Sequence, residues 1–215
     1  MRPFNTLALN PTYPMNIPHH PQVTALLLAG GLARRMGGKD KGLLPFQGRP
    51  LVEHVLEAIT PQAGAILINA NRNRERYRAY GHPVIHDEPV DYQGPLAGFA
   101  AGLKHCRTHW LATLPCDGPF VPPDLLFRLW CAREDHNTEI AVAHDGERLQ
   151  PVHALLHKDL LESLRTFLES GERKVDRWYA QHKIAPADFS DRKTGFTNIN
   201  TPEALAALES TPAIP

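Results

Sequence analysis

Apolar and polar positions along this chain fall into short blocks whose rhythm changes between strand and helix. The first largely apolar run, Val23 to Leu28, has strand length and no polar face, as expected of a strand covered on both sides. From Leu51 the rhythm becomes helical: Leu51, Val52, Val55, Leu56 and Ile59 recur on one face behind Pro50, which suits a helix start. Pro61 to Gly64 breaks that helix, and Ala65 to Ile68 reads as a second strand ending on Asn69. A polar, arginine-rich helix is expected over Asn73 to Ala79, closed by Gly81. Pro83 to His86 reads as a third strand ending on Asp87, and the loop EPVDYQGPLAG leads into a helix from Leu96 to Cys106. Trp110 to Leu114 forms a fourth strand, followed by Pro115, Cys116 and Asp117. Pro122 and Pro123 then open a helix carrying Leu125, Leu126, Leu129 and Trp130.

Four strand–helix alternations predict an α/β domain whose central sheet is mostly parallel, with helices on both faces. The second half is less regular. Glu139 to Ala143 and Val152 to Leu156 read as strands. Leu160, Leu161, Leu164, Phe167 and Leu168 define an amphipathic helix closed by Gly171. A helix around Val175 to Ala180, a short strand from Phe196 to Asn200 and a last helix begun by Thr201-Pro202 complete the pattern. No repeat or linker divides the chain, so residues 22–215 are expected to form one domain.

In open parallel sheets, ligands sit beyond the carboxyl ends of the strands. The four predicted strands end in Ala29-Gly30-Gly31, Asn69, Asp87 and Asp117, so these residues are expected to meet at one edge. The first of these ends opens the stretch LLLAGGLARRMGGKDKG, Leu26 to Gly42. Its glycines permit tight turns and close approach of backbone N–H groups to a ligand, and Arg34, Arg35, Lys39 and Lys41 add positive charge. That combination suits a phosphate cradle. It matches neither the P-loop nor the GxGxxG pattern, and a basic glycine-rich turn is also an ordinary loop. An isolated Asp after a strand is likewise often a helix cap or turn former. Three polar strand ends beside a basic glycine loop favour a ligand site. Asp117 is a hard oxygen donor suited to Mg²⁺, and Asn69 and Asp87 offer the donors and acceptors that orient a ribose or base.

Composition narrows the choice. Lys plus Arg equals Asp plus Glu, 23 against 23, which argues against a nucleic acid or membrane surface held by bulk charge. A small anionic ligand fits the local basic cluster better. The three cysteines form no CxxC pair and are odd in number, which argues for a reducing, cytoplasmic setting. No apolar run approaches the length of a membrane span. The twelve histidines show no HExxH or other metal-ligand spacing. Residues 1–21 hold five prolines and no continuous apolar core, and read as a flexible tail in which Met15 is an alternative start. Cys116 lies beside Asp117, whose charge disfavours a thiolate, so it reads as packing.

The segments LAGGLARRMGGKDKGLL, INAN, HDE, GPLAG, LPCDGPFVP and FTNINTPEAL, in this order from about Val23 to Leu208, resemble the molybdenum cofactor guanylyltransferases. The resemblance implies a Rossmann-like nucleotidyltransferase fold and transfer of GMP from GTP to the terminal phosphate of a molybdopterin. Related cytidylyltransferases look like LAAG at the first motif and lack GPLAG, so Gly30 and Gly94-Pro95-Leu96-Ala97-Gly98 imply GTP over CTP. The family's nucleotide contacts carry over to Leu28, Ala29, Gly30, Gly31, Lys41, Asn69, Asp87, Gly94, Pro95, Leu96 and Asp117. Asp117 also takes Mg²⁺, with Lys41 and Arg34 in charge-stabilising roles. Asn198 and Asn200 are carried over as pterin contacts, although NTP before an apolar pattern is also simply a strand end entering a capped helix. The chain departs from the pattern at Gln150, where the family more usually has His before the proline. The resemblance leaves room for other cofactor-biosynthesis proteins and recipient molybdoenzymes as partners. A nucleotidyltransferase with another nucleotide or acceptor, or a non-catalytic nucleotide-binding module, would share much of this pattern.

Overall fold

The apolar run at Val23–Leu28 lies in the middle of the molecule. The computed structural model describes residues 19–29, 40–88, 94–199, 201 and 205–206. In chain order its first half contains β1 (His20–Leu28), the short β2 (Pro45–Phe46) and β3 (Arg49–Pro50), α1 (Leu51–Ile59), β4 (Ala63–Asn69) and α2 (Arg74–Arg78). β5 (Val84–Ile85), α3 (Pro95–His105), β6 (Trp110–Pro115) and α4 (Leu125–His136) follow. The second half contains β7 (Ile140–His144), β8 (Leu149–His157), α5 (Leu161–Glu169), α6 (Val175–Tyr179) and β9 (Ile184–Asp188).

Seven strands form one sheet in the order β5-β4-β1-β6-β8-β7-β9, and β2 and β3 form a separate hairpin. β5, β4, β1 and β6 run parallel, as the alternation predicts. Both faces of β1 are covered. Val23, Ala25 and Leu27 pack with α1 and α4 on one side, while Leu26 packs with α3, α5 and α6 on the other. A strand clothed on both faces has no position for a polar side chain without a partner, and the one polar residue of the run, Thr24, has its hydroxyl 2.8 Å from that of Thr108. The helical spacing in α1 is equally literal: Leu51, Val52, Val55, Leu56 and Ile59 are its buried residues. Burial of each such side chain is worth about 1.5–3 kcal/mol.

Two features of the sheet lay beyond the sequence pattern, and two expectations need correction. β8 runs antiparallel to both β6 and β7, because β7 and β8 are joined by residues 145–148 alone. So short a connection can only return the chain alongside itself, whereas a parallel neighbour needs a crossover. β9 was not anticipated. It pairs parallel with β7 at the end of the strand order, where Pro186, which reads as a strand breaker, is tolerated. α4 begins at Leu125 and not at Pro122-Pro123, whose turn has Leu125 N donating to Pro122 O at 3.1 Å. The buried Gln62 fixes this start, donating to Pro122 O (3.0 Å) and accepting from Leu126 N (3.0 Å). The predicted strand over 196–200 is instead the end of a 3-10 segment, Ser190–Phe196, followed by non-strand backbone at 197–199. There Ile199 N donates to Asp117 O at 2.8 Å outside any strand ladder. Asn200 and residues 1–18 of the expected tail lie outside the described residues.

The register of the parallel strands places the predicted residues together. Leu28 lies opposite Asn69 of β4 and Pro115 of β6, and Asn69 lies opposite Ile85 of β5. The chain therefore leaves all four strands at one edge, and Ala29, Asn69, Asp87 and Asp117 stand there.

Candidate active site

Asn69, Asp87 and Asp117 are buried, unusual for such side chains, and each is accounted for by a polar partner. The main chain first carries the sheet past its ends. Ala29 N donates to Asn69 O at 2.8 Å, and Cys116 N donates to Leu28 O at 3.2 Å. Asn69 Nδ2 then donates to Asp87 Oδ1 (3.0 Å), and Asn71 Nδ2 donates to Asp87 Oδ2 (2.7 Å). Asn71 Oδ1 accepts from Asp87 N at 2.9 Å, so the residue is held by two bonds to its carboxylate and one from its main chain. An ionised carboxylate offers about four lone-pair sites. Asp87 therefore keeps acceptor capacity on both oxygens while its position is fixed.

The second node lies across β1. Lys41 Nζ donates to Asp117 Oδ2 at 3.0 Å, with the two side chains 23% and 12% exposed. Lys41 opens a 3-10 turn, Lys41–Leu43, and Asp117 follows β6. Between β4 and β6 lies one strand, so the two nodes stand roughly 10 Å apart, two strand spacings. Burial, with the adjacent Asp117 adding to it, holds the Cys116 thiol well above its usual range, in keeping with a packing role.

Gly94 precedes α3 with φ 82° and ψ −169°, a backbone state open to glycine and strained for other residues. Pro95 is the first helical residue, as suits a ring that fixes φ and lacks the N–H. The Leu96 side chain is fully buried in the core, which leaves only its main chain to face a ligand. Asn198 stands beside Gly118, the residue after Asp117: a Cβ on Gly118 would lie 2.9 Å from Asn198 Oδ1, and that oxygen is buried without a hydrogen-bond partner among the described residues. Gln150 donates to Asp145 Oδ2 at 2.6 Å within the β7–β8 connection. Gly30, Gly31, Arg34 and Asn200 fall outside the described residues.

Sequence reasoning passed over Asn71, Asp40, Asn73 and Tyr77. Tyr77 Oη donates to Asp40 Oδ1 (2.6 Å) and Asn73 Nδ2 donates to Asp40 Oδ2 (2.9 Å). A signal was present: asparagines at 69, 71 and 73 directly after a strand are more than a turn requires.

Among the described residues no group of three or more His, Cys, Asp or Glu side chains could hold a metal. At the second node the carboxylate is Asp117. That fits Mg²⁺, which is commonly bound by one or two carboxylates plus substrate phosphates and keeps several waters. The two nodes thus differ in chemistry. Asp87 with its asparagines presents neutral and anionic acceptors suited to hydroxyl and N–H groups. Lys41 with Asp117 presents a cation and a hard oxygen, suited to phosphates and their counter-ion.

Comparison with known proteins agrees with this geometry. Residues 25–185 match the MobA-like NTP transferase domain. The molybdenum cofactor guanylyltransferase of Shewanella sediminis is 50% identical over 187 residues, covering 87% of this chain and 95% of that protein. The protein of the same name from Shewanella sp. strain ANA-3 is 51% identical over the same shares. The crystal structure of molybdopterin-guanine dinucleotide biosynthesis protein A from Archaeoglobus fulgidus superposes with a TM-score of 0.72. It is 23% identical and covers 86% of this chain and 96% of its own. A nucleotidyl transferase from Methanothermobacter thermautotrophicus gives a TM-score of 0.69 at 20% identity, covering 87% and 96%. Both structures share the fold. The match over residues 25–185 and the half-identical relatives show that the chain belongs to the MobA-like NTP transferase family, among the molybdenum cofactor guanylyltransferases.

Proposed function

We propose that this protein transfers GMP from GTP to the terminal phosphate of molybdenum-molybdopterin, giving the guanine dinucleotide cofactor and pyrophosphate. The observation that carries the reading is the pair of unlike nodes on strand ends either side of β1. Asn69–Asp87 suits a nucleoside, Lys41–Asp117 suits a triphosphate, and relatives with half their residues in common bear the corresponding name. On this reading the product passes to molybdoenzymes in the cytoplasm, in keeping with three unpaired cysteines.

The attacking atom is a phosphate oxygen already anionic at neutral pH, so no general base is needed. What the protein supplies is alignment of two anions and relief of their repulsion. Lys41 is placed to neutralise the departing pyrophosphate, and the main chain at Ala29 lies between the two nodes. Asp117 is the residue that would hold Mg²⁺, which when bound stabilises charge on the triphosphate. Gly30, Gly31 and Arg34 belong to the same phosphate-binding loop on this reading, and Gly94 and Pro95 to the wall that favours guanine.

Two variants separate the halves of the site. Asp87→Ala removes an acceptor and leaves the amides of Asn69 and Asn71 without their partner. Hydrogen bonds to charged groups are worth about 1.5–3 kcal/mol, so GTP binding is expected to weaken about 10- to 150-fold in a calorimetric titration. An unchanged affinity would remove Asp87 from the nucleoside site. Asn198→Ala is expected to raise the Michaelis constant for the pterin substrate and leave that for GTP in place. Its support is the Oδ1 beside Gly118, buried without a partner among the described residues. Unchanged constants for both substrates would remove it.

Thermal stabilisation by GTP, CTP and ATP, with and without Mg²⁺, tests the nucleotide assignment. A ligand that binds only the folded state stabilises it by RT ln(1 + [L]/Kd), about 2.7 kcal/mol at a hundredfold excess over Kd. GTP with Mg²⁺ is expected to give the largest shift. An equal or larger shift with CTP would point to another nucleotidyl transfer.

A further inference from the structure

Lys41 is a long side chain on a three-residue turn, whose backbone is closed by hydrogen bonds from Leu43 N to Asp40 O (3.2 Å) and from Leu44 N to Lys41 O (3.0 Å). We infer that Tyr77 is the positioning residue that seats Lys41 against Asp117. The inference rests on the reading of this pair as the triphosphate side of the site.

The contacts converge from both sides of Lys41. On one side, the Tyr77 hydroxyl donates to Asp40 Oδ1 at 2.6 Å, and Asn73 donates to the other oxygen at 2.9 Å. On the other, Gly42 lies flat against the same phenol: a Cβ there would sit 2.6 Å from Tyr77 Oη and 2.8 Å from Cys116 Sγ. Cys116 in turn precedes Asp117. The residues flanking Lys41 and the residue before Asp117 therefore meet at one buried point, and Tyr77, with no exposed surface, is at its centre. Burial foremost, then the neighbouring Cys116 and Asp40, hold the phenol well above its ordinary range, so it stays a donor to the Asp40 carboxylate.

The same segment also reaches the nucleoside node. Asn69 and Asn71 hold Asp87, and Asn73 and Tyr77 hold Asp40. One stretch of nine residues, 69–77, thus frames both halves of the site, and its two ends act on different parts of the nucleotide. A tyrosine that only filled the core would matter through its ring. A positioning tyrosine matters through its hydroxyl, and only toward the triphosphate.

The test compares wild type, Tyr77→Phe, Asp40→Ala and the double variant. The readings are GTP and guanosine affinity by calorimetry, turnover by pyrophosphate release and melting temperature. Tyr77→Phe keeps the ring. It is expected to weaken GTP binding and lower kcat by about tenfold each, with guanosine affinity unchanged. Asp40→Ala, at a half-buried position, is expected to show the same selective loss, and it carries the test should Tyr77→Phe fail to fold. In the Asp40→Ala background, Tyr77→Phe is expected to add nothing, since the two act as one unit. GTP affinity and turnover at wild-type levels in Tyr77→Phe would overturn the inference. So would equal weakening of GTP and guanosine, or a full Tyr77→Phe effect in the Asp40→Ala background. Wild-type protein that binds no GTP would instead overturn the guanylyl-transfer reading, and this inference with it.

Discussion

Asp117→Ala is expected to lower turnover by about 10²–10³-fold while leaving the protein folded. The side chain stands at the sheet edge with 12% of its surface exposed, outside the apolar clusters that hold the two faces together. The tie to the neighbouring segment runs through the main chain, from Ile199 N to Asp117 O at 2.8 Å, and survives the substitution. What is lost is the hard oxygen that suits Mg²⁺ and the 3.0 Å partner of Lys41. Initial rates of pyrophosphate release, taken beside a circular dichroism melt, check both halves. Near-normal turnover in a folded Asp117→Ala protein would take Asp117 out of the reaction.

Lys41→Ala is expected to cost a similar 10²–10³-fold by a different route. Here the carboxylate stays and a cation is removed from the side where, on the proposed reading, pyrophosphate departs. The two variants should therefore separate on metal dependence. Raising Mg²⁺ is expected to restore part of the rate to Asp117→Ala, whose remaining phosphate ligands still bind the ion, and none to Lys41→Ala. Because the two side chains form one pair, the double variant is expected to be little worse than the poorer single one, as for other groups acting as a unit. Multiplicative losses would show that they act independently.

Much of this site can be read from the chain, and the reason is local. Val23 to Leu28 announces a doubly covered strand because all its positions but Thr24 are apolar, and Thr24 is buried against the Thr108 hydroxyl. Asn69, Asp87 and Asp117 stand out because each follows an apolar run, and parallel register then carries them to one edge without further information. What resists reading is partnership across sequence. Lys41 meets Asp117 over 76 residues and Tyr77 meets Asp40 over 37, and no spacing rule connects either pair. Tyr77 lies in a helix that reads as polar and arginine-rich, so its hydroxyl gives no warning of a buried contact. The direction of β8 and the existence of β9 were hidden for related reasons. A short connection sets the first, and an edge position that tolerates Pro186 sets the second; both are features of the assembled sheet. The proposed acceptor side is the least legible part, because Asn198 sits on irregular backbone whose neighbours include Asp117 and Gly118.

The central claim is tested most directly by product analysis. Purified protein is incubated with Mg²⁺, molybdenum-molybdopterin and either GTP or CTP, and the pterin product is identified by mass while pyrophosphate is counted. The account predicts the guanine dinucleotide form with one pyrophosphate per product, and far less product with CTP. Absence of the dinucleotide with GTP, or equal yield with CTP, would contradict it.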